Sequence, residues 1–351
     1  LFPNLVNQFG LRASDRLVLR YGGGPERKAI KLQNIDEDSV VAAILMLIDP
    51  TPKRVYLAIG MGLPPLVDEG ALGIKKFARS LVSENFEVQG ISFDNLERVP
   101  ADADLMVVLG LREPPQPRTL TALSDYLAHG GKLFLCVDPL FAHYFEPLFA
   151  QLGIQADDSV VLDRDQMAYM QGAVGLQPLV SNFAEHPITN RLDASKVVIM
   201  NGVTPLLPRD RTSRASPLFF ASPGSIQELR ALEILNGTRV PTGSNPNPDS
   251  PSIPLAVTVV DSANAPRAVV VGDTDWLLNG ALDYYSNRSL ALNSIHWLLG
   301  NNWALMTRAT SVFSQSVAIS AGQFSNLVIA SVLVVELLIL GGLLRLWQRK
   351  W

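Results

Sequence analysis

From Arg54 to Leu152, short apolar runs alternate with segments whose apolar positions recur every three or four residues. The runs RVYLAI (Arg54 to Ile59), Phe86 to Phe93, DLMVVL (Asp104 to Leu109) and KLFLCV (Lys132 to Val137) predict strands. Leu72 to Asn85, Thr119 to His129 and Phe141 to Leu152 predict amphipathic helices, the second ended by Gly130-Gly131. A strand apolar on both faces is one covered on both faces. Such strands separated by helices predict an α/β domain with a mostly parallel sheet.

Before this block, Arg16 to Tyr21 and Lys28 to Leu32 alternate around Gly22-Gly23-Gly24-Pro25, a hairpin signal. Asp36 to Ile48 predicts a helix with Val40, Val41, Ile44, Leu45 and Ile48 on one face. Asp49-Pro50-Thr51-Pro52 then marks a boundary, so that the main domain runs over 51–304. Within it, about 165–254 is looser, with strands expected at Val197 to Met200 and Leu229 to Leu235. The polar, proline-rich run from Pro241 to Pro254 predicts a mobile loop or a disordered segment. Leu255 to Val260 and Ala268 to Val271 predict strands that complete the sheet, and Ser289 to Leu299 a helix.

After a linker at 305–326 the pattern changes. Leu327 to Leu344 reads LVIASVLVVELLILGGLL, with Glu336 its one charge. As a helix it spans roughly 27 Å, close to the thickness of a bilayer core. Arg345, Arg349 and Lys350 follow, with Trp347 and Trp351 among them, whereas 309–326 carries no charge. This asymmetry predicts a transmembrane helix at 327–345, a cytoplasmic tail at 346–351 and the large domain on the other side. The chain opens LFPNLVNQFG, without a signal-peptide pattern, so a further membrane helix is expected before it to export the domain.

The net charge of −4, without a basic block, argues against a nucleic-acid partner. Cys136 is the single cysteine, which excludes an internal disulfide and paired-cysteine zinc sites. There is no P-loop, so the chain is not itself an ATPase of that kind. Gly60 and Gly62 begin a dinucleotide-type fingerprint, but its third glycine position is Pro65, and a strand-end turn is the simpler reading. Cys136 lies inside LFLCV as a small buried hydrophobe rather than on a nucleophile elbow, and His129, His143, His186 and His296 show no catalytic spacing to it. The remaining candidates are carboxylates at strand ends, Asp138 after KLFLCV and Asp273 and Asp275 after AVVVG. Such ends line the crevice where α/β sheets bind ligands, and three carboxylates could hold a divalent cation. The simpler alternative is that they cap turns and helix ends.

The run KRVYLAIGMG, the segment VPADADLMVVLGLREPPQPRTLTALSDYLAHGGKLFLCVDP, and the later SNFAEHPITNRL, RAVVVGDTDWLLN and NRSLALNSIHWLLG together resemble the GldG-like auxiliary subunits of gliding-motility-associated ABC transporters. The resemblance covers roughly residues 5 to 345 and rests on order and spacing. It implies a flavodoxin-like or glutamine-amidotransferase-like extracytoplasmic domain in the bacterial inner membrane, with 1–50 as the end of a thioredoxin-like region. It further implies partnership with a separate ABC ATPase and a multi-span permease, and no cofactor. Relatives often carry a Gly-His-Gly-Glu type turn where this chain has Gly60-Met61-Gly62-Leu63, so polar chemistry at that turn is lost. Glu336 is then expected to face a permease helix, with Gly341 and Gly342 allowing close approach. The function expected is that of a non-enzymatic auxiliary subunit. A membrane-tethered hydrolase and a stand-alone sugar- or peptide-binding module are the alternatives.

Overall fold

The computed structural model describes residues 16–22, 28–32, 35, 52–156, 158–163, 175–190, 192, 196–210, 213–238 and 252–301, with helical positions 40, 43, 44 and 47. The chain divides into two units, Leu1–Ser311 and Val312–Trp351, and the second lies outside the described residues. So do the expected membrane helix at 327–345, with Glu336, Gly341 and Gly342, and its flank of Arg345, Trp347, Arg349, Lys350 and Trp351. Among the described residues no helix is long and apolar enough to cross a membrane.

β1 (Leu17–Tyr21) and β2 (Lys28–Leu32) form the expected hairpin, Leu17 opposite Leu32 and Tyr21 opposite Lys28. In the segment that follows, Ala43 and Leu47 are buried and Ile44, expected on the buried face, is exposed, while Val41, Leu45 and Ile48 lie outside the described residues. The α/β block then runs β3 (Arg54–Ile59), α1 (Lys75–Ser83), β4 (Glu87–Ser92), β5 (Leu105–Leu109), α2 (Pro117–Ala128), β6 (Leu133–Cys136) and α3 (Glu146–Leu152). Short strands follow: β7 (Ile154–Ala156), β8 (Val160–Leu162), β9 (Leu179–Val180), β10 (Asn182–Phe183), β11 (Val198–Ile199), β12 (Leu206–Pro208), β13 (Ala215–Phe220) and β14 (Ile226–Glu228). The described residues end with α4 (Ala231–Leu235), β15 (Pro254–Val260), β16 (Pro266–Val271) and α5 (Asn287–Leu299).

Eight strands form one sheet in the order β10-β13-β15-β16-β6-β5-β3-β4. From β16 to β4 neighbours are parallel. The other three strands pair antiparallel, which the expectation of a mostly parallel sheet did not specify. The reason is local at the β15–β16 join. Asp261 Oδ1 accepts the N–H groups of Ala263 (2.8 Å) and Ala265 (3.0 Å), closing a turn too short for a crossover helix.

The parallel strands are apolar throughout because their alternate residues enter two cores. Val55, Leu57, Leu105, Val107, Phe134, Val269 and Val271 face one, against Phe77 and Leu81 of α1 and Leu290 and Ile295 of α5. Tyr56, Ala58, Met106, Val108, Leu135 and Val270 face the other, against Leu123 and Leu127 of α2 and Leu148 and Phe149 of α3. Helix α5 is buried along most of its length, and its polar residues are bonded accordingly. Asn287 Nδ2 donates to Trp276 O (3.1 Å), its Oδ1 accepts Ile199 N–H (3.0 Å), Asn293 Nδ2 donates to Ile188 O (3.0 Å), and His296 Nε2 meets Glu84 Oε2 at 2.9 Å.

One assignment is corrected. Leu229 to Leu235, expected as a strand, contains helix α4. Ala231 and Ile234 are buried while Leu229 and Leu232 are exposed, a spacing of three that only a helix satisfies. Of the expected loop from Pro241 to Pro254, residues 241–251 lie outside the described residues.

Candidate functional site

Leu109, Cys136 and Val271 are in register across β5, β6 and β16, so the residues that follow them emerge together at the carboxyl edge of the sheet. These are Gly110, Asp138 and the run from Gly272 to Asp275. The three sequence-predicted aspartates are thereby brought to one place. Asp138 Oδ1 accepts the N–H of Thr274 at 2.8 Å. Asp273, fully buried, accepts the N–H groups of Asn201 on Oδ2 and Asp275 on Oδ1, each at 2.8 Å. Asp275 Oδ2 accepts Asn201 Nδ2–H at 2.7 Å. The capping alternative therefore describes much of what these groups do. Among the described residues no group of three or more His, Cys, Asp or Glu is arranged to hold a metal ion.

Arg112, half exposed, sits above the cluster. Its Nε lies 4.0 Å from Asp138 Oδ2 and its Nη2 3.9 Å from Asp275 Oδ1. Asp138 Oδ2 and Thr274 Oγ1 are buried with no hydrogen-bond partner among the described residues. Gly110 allows this packing: its φ is +68°, and a β-carbon there would lie 2.7 Å from Thr274 Oγ1 and 3.0 Å from Asp138 Oδ2.

Burial, and then the charge of Asp275, raise the pKa of Asp138 to about 6, against the pull of Thr274 and Arg112. Asp273 is pushed well above the carboxylate range by burial and by its two acidic neighbours, despite its backbone hydrogen bonds. The cluster therefore retains protons that separate carboxylates would lose. It presents one half-exposed guanidinium beside Asp138, whose charge changes near pH 6, an arrangement suited to recognition or proton uptake.

Gly60 (φ +94°) and Gly62 (φ +74°) form a tight turn, with Leu63 N–H donating to Gly60 O at 2.9 Å. A β-carbon at Gly60 would collide with Asp94, and one at Gly62 would lie 3.0 Å from Arg112 Cβ, so the chain's own side chains fill the place of a phosphate. Cys136 is fully buried, and burial, then Asp273 and Asp138, raise its thiol well above the usual range. The four histidines are engaged elsewhere. His129 Nδ1 meets Asp125 O at 2.7 Å and His143 Nδ1 meets Asp158 Oδ2 at 2.9 Å. His186 Nδ1 accepts Ile188 N–H at 3.2 Å, and burial lowers its pKa to about 4. His296 meets Glu84.

Sequence reasoning missed Gly110, Arg112, Asn201 and Thr274. Gly110 and Arg112 carried a usable signal, since both directly follow the β5 run. Asn201 carried none.

A family profile described as "ABC-type uncharacterized transport system" (ABC_transp_aux) matches residues 74–306. Comparison with curated protein sequences gives no match. Among solved structures, the mmIFT52 N-terminal domain superposes with a TM-score of 0.51 at 13% identity, over 70% of this chain and 96% of that one. A Thermoplasma acidophilum protein described as a GMP synthase component follows with a TM-score of 0.37 at 9% identity, covering 74% and 99%. A ThuA-like protein from Parabacteroides merdae gives 0.36 at 15%, covering 74% and 92%. At 13% identity the likeness to the mmIFT52 N-terminal domain is one of fold.

Proposed function

The chain belongs to the ABC_transp_aux family of ABC-type transport systems, and from that membership we propose that it is a non-catalytic auxiliary subunit working with an ABC ATPase and a multi-span permease. The observation that carries this reading is the reach of the family match, from the residue before α1 to beyond the end of α5. The family-defining part is thus the α/β domain itself.

In the proposed arrangement, 327–345 anchors the chain in the bacterial inner membrane, the α/β domain is extracytoplasmic, and the tail with Arg345, Trp347, Arg349, Lys350 and Trp351 is cytoplasmic. Glu336 faces a permease helix, beside Gly341 and Gly342, because a carboxylate within a membrane span favours a protein partner over lipid. Residues 1–50 end a thioredoxin-like region. The finer assignment to a GldG-like protein serving gliding rests on the sequence resemblance.

The edge with Asp138, Asp273, Asp275 and Arg112 is the part of the domain offered to a ligand or partner, or the contact through which the ATPase cycle is transmitted. The inaccessible Cys136 thiol supports this over a hydrolase reading, because a nucleophile must be exposed and ionisable. Recovery of the tagged chain from membranes, with identification of the proteins that co-purify, tests the assignment.

A further inference from the structure

At the opposite edge of the sheet from the aspartates, the β15–β16 hairpin, the loop before β13 and the carboxyl ends of α2 and α3 line an open cavity of ≈ 590 Å³. That is within the range, about 300–1,000 Å³, of small-molecule sites. Its buried walls are apolar, contributed by Leu127, Leu152 and Val259. Three arginines from three separate segments line it as well: Arg209 after β12, Arg214 before β13, and Arg267 in β16.

The charge of these arginines is poorly matched within the protein. Arg209 comes no closer than 4.0 Å to Glu146. Arg267 donates to the backbone carbonyl of Leu127, where it caps α2. Arg214 makes no ion pair and no side-chain hydrogen bond among the described residues. Two acids, Asp210 and Asp261, also line the cavity. The Asp261 carboxylate is committed to its turn, whose N–H groups at Ala265 and Ala263 lower its pKa more than Arg267 and Arg214 do. Three guanidinium groups line one cavity beside its apolar patch and offer donors to a planar or tetrahedral oxyanion.

We propose that this cavity binds a small polyanion, its phosphate or carboxylate groups on Arg209, Arg214 and Arg267 and its carbon skeleton on Leu127, Leu152 and Val259. A neutral sugar would leave the guanidinium charges unmatched, and a monoanion would satisfy them only in part. The site lies across the sheet from the strand-end aspartates, so it does not depend on the role proposed for them.

Isothermal titration calorimetry on the full chain in detergent, at matched ionic strength, tests this with pyrophosphate and with citrate as probes. Saturable binding of at least one is expected, and which binds tighter identifies the phosphate or the carboxylate as the preferred group. Arg214→Gln should weaken that binding by about tenfold or more. The fold should survive, because the Arg214 guanidinium carries no bond among the described residues, and circular dichroism checks this. Arg79→Gln, on the exposed side of α1, should bind as the unaltered protein does. No saturable heat from either probe up to about 10 mM would overturn the proposal. So would unchanged binding in both Arg214→Gln and Arg209→Gln, or equal weakening in Arg79→Gln, which marks unspecific charge attraction.

Discussion

The Asp138 carboxylate accepts a 2.8 Å hydrogen bond from the backbone N–H of Thr274, fastening the end of β6 to the end of β16. Its second oxygen is buried with no hydrogen-bond partner among the described residues, and Arg112 approaches it only to 4.0 Å. This half-satisfied carboxylate is the most consequential group of the strand-end cluster, because ionising it is costly in the folded state.

The pH dependence follows from that cost. The folded pKa of Asp138, about 6, stands above the ordinary 3.8, so between those values the native state binds more protons than the unfolded state. Its contribution to stability is therefore fully present below about pH 4 and lost as pH rises through 6. Asp138→Asn keeps an oxygen for Thr274 N–H and cannot ionise. Denaturant titrations should show the variant gaining stability relative to the unaltered protein between pH 5 and pH 7.5, by roughly 1 to 3 kcal/mol. A difference independent of pH would remove Asp138 from the titrating cluster.

Gly110→Ala should destabilise the domain by about 2 to 4 kcal/mol, combining a left-handed backbone with overpacking. The new methyl would lie 2.7 Å from Thr274 Oγ1 and 3.0 Å from Asp138 Oδ2. Chemical denaturation measures the loss. A companion Thr274→Ser, which removes the methyl that also crowds Gly110, should recover part of it.

How much of this was legible in the sequence depends on the distance over which each feature is written. β3, β5 and β6 were readable because each is an unbroken apolar run, and burial on two faces demands that. β13 was not, since ASPLFF contains a proline and a serine and is placed by pairing with β15, far along the chain. Leu229 to Leu235 misled because a short apolar run of seven residues does not by itself tell strand from helix, whereas the residues actually buried, Ala231 and Ile234, are three apart as on a helix. Asp138, Asp273 and Asp275 were found because an acid just after a strand is a local signal. Asn201 and the cavity arginines come from segments joined only by the fold, and no short window holds them together.

Asn279 ties the loop after β3 to the end of the domain. Its Oδ1 accepts Lys76 N–H, and its Nδ2 donates to Asp68 O and Gly70 O, each at 2.8 Å. Asn279→Ala should cost about 2 to 4 kcal/mol. Hydrogen exchange should accelerate most at Gly73 to Lys76. Acceleration spread evenly over the sheet would mean that the loop is held by other contacts.

Cys136 should resist thiol reagents in the native protein and react readily in denaturant, because its sulfur is inaccessible and its thiol pKa is raised. Cys136→Ala should assemble with the proposed transporter partners as the unaltered chain does, at a stability cost of about 1 to 2 kcal/mol. Rapid native labelling, or a hydrolytic activity abolished by this substitution, would instead favour a catalytic protein.

The assignment as an auxiliary subunit is tested most directly by purifying the tagged full chain from membranes in mild detergent and weighing what accompanies it. The account predicts an ATP-binding protein and a multi-span permease in a fixed ratio through gel filtration, with recovery of the permease reduced by Glu336→Leu. A chain that elutes alone, under conditions that keep other membrane complexes whole, would contradict it.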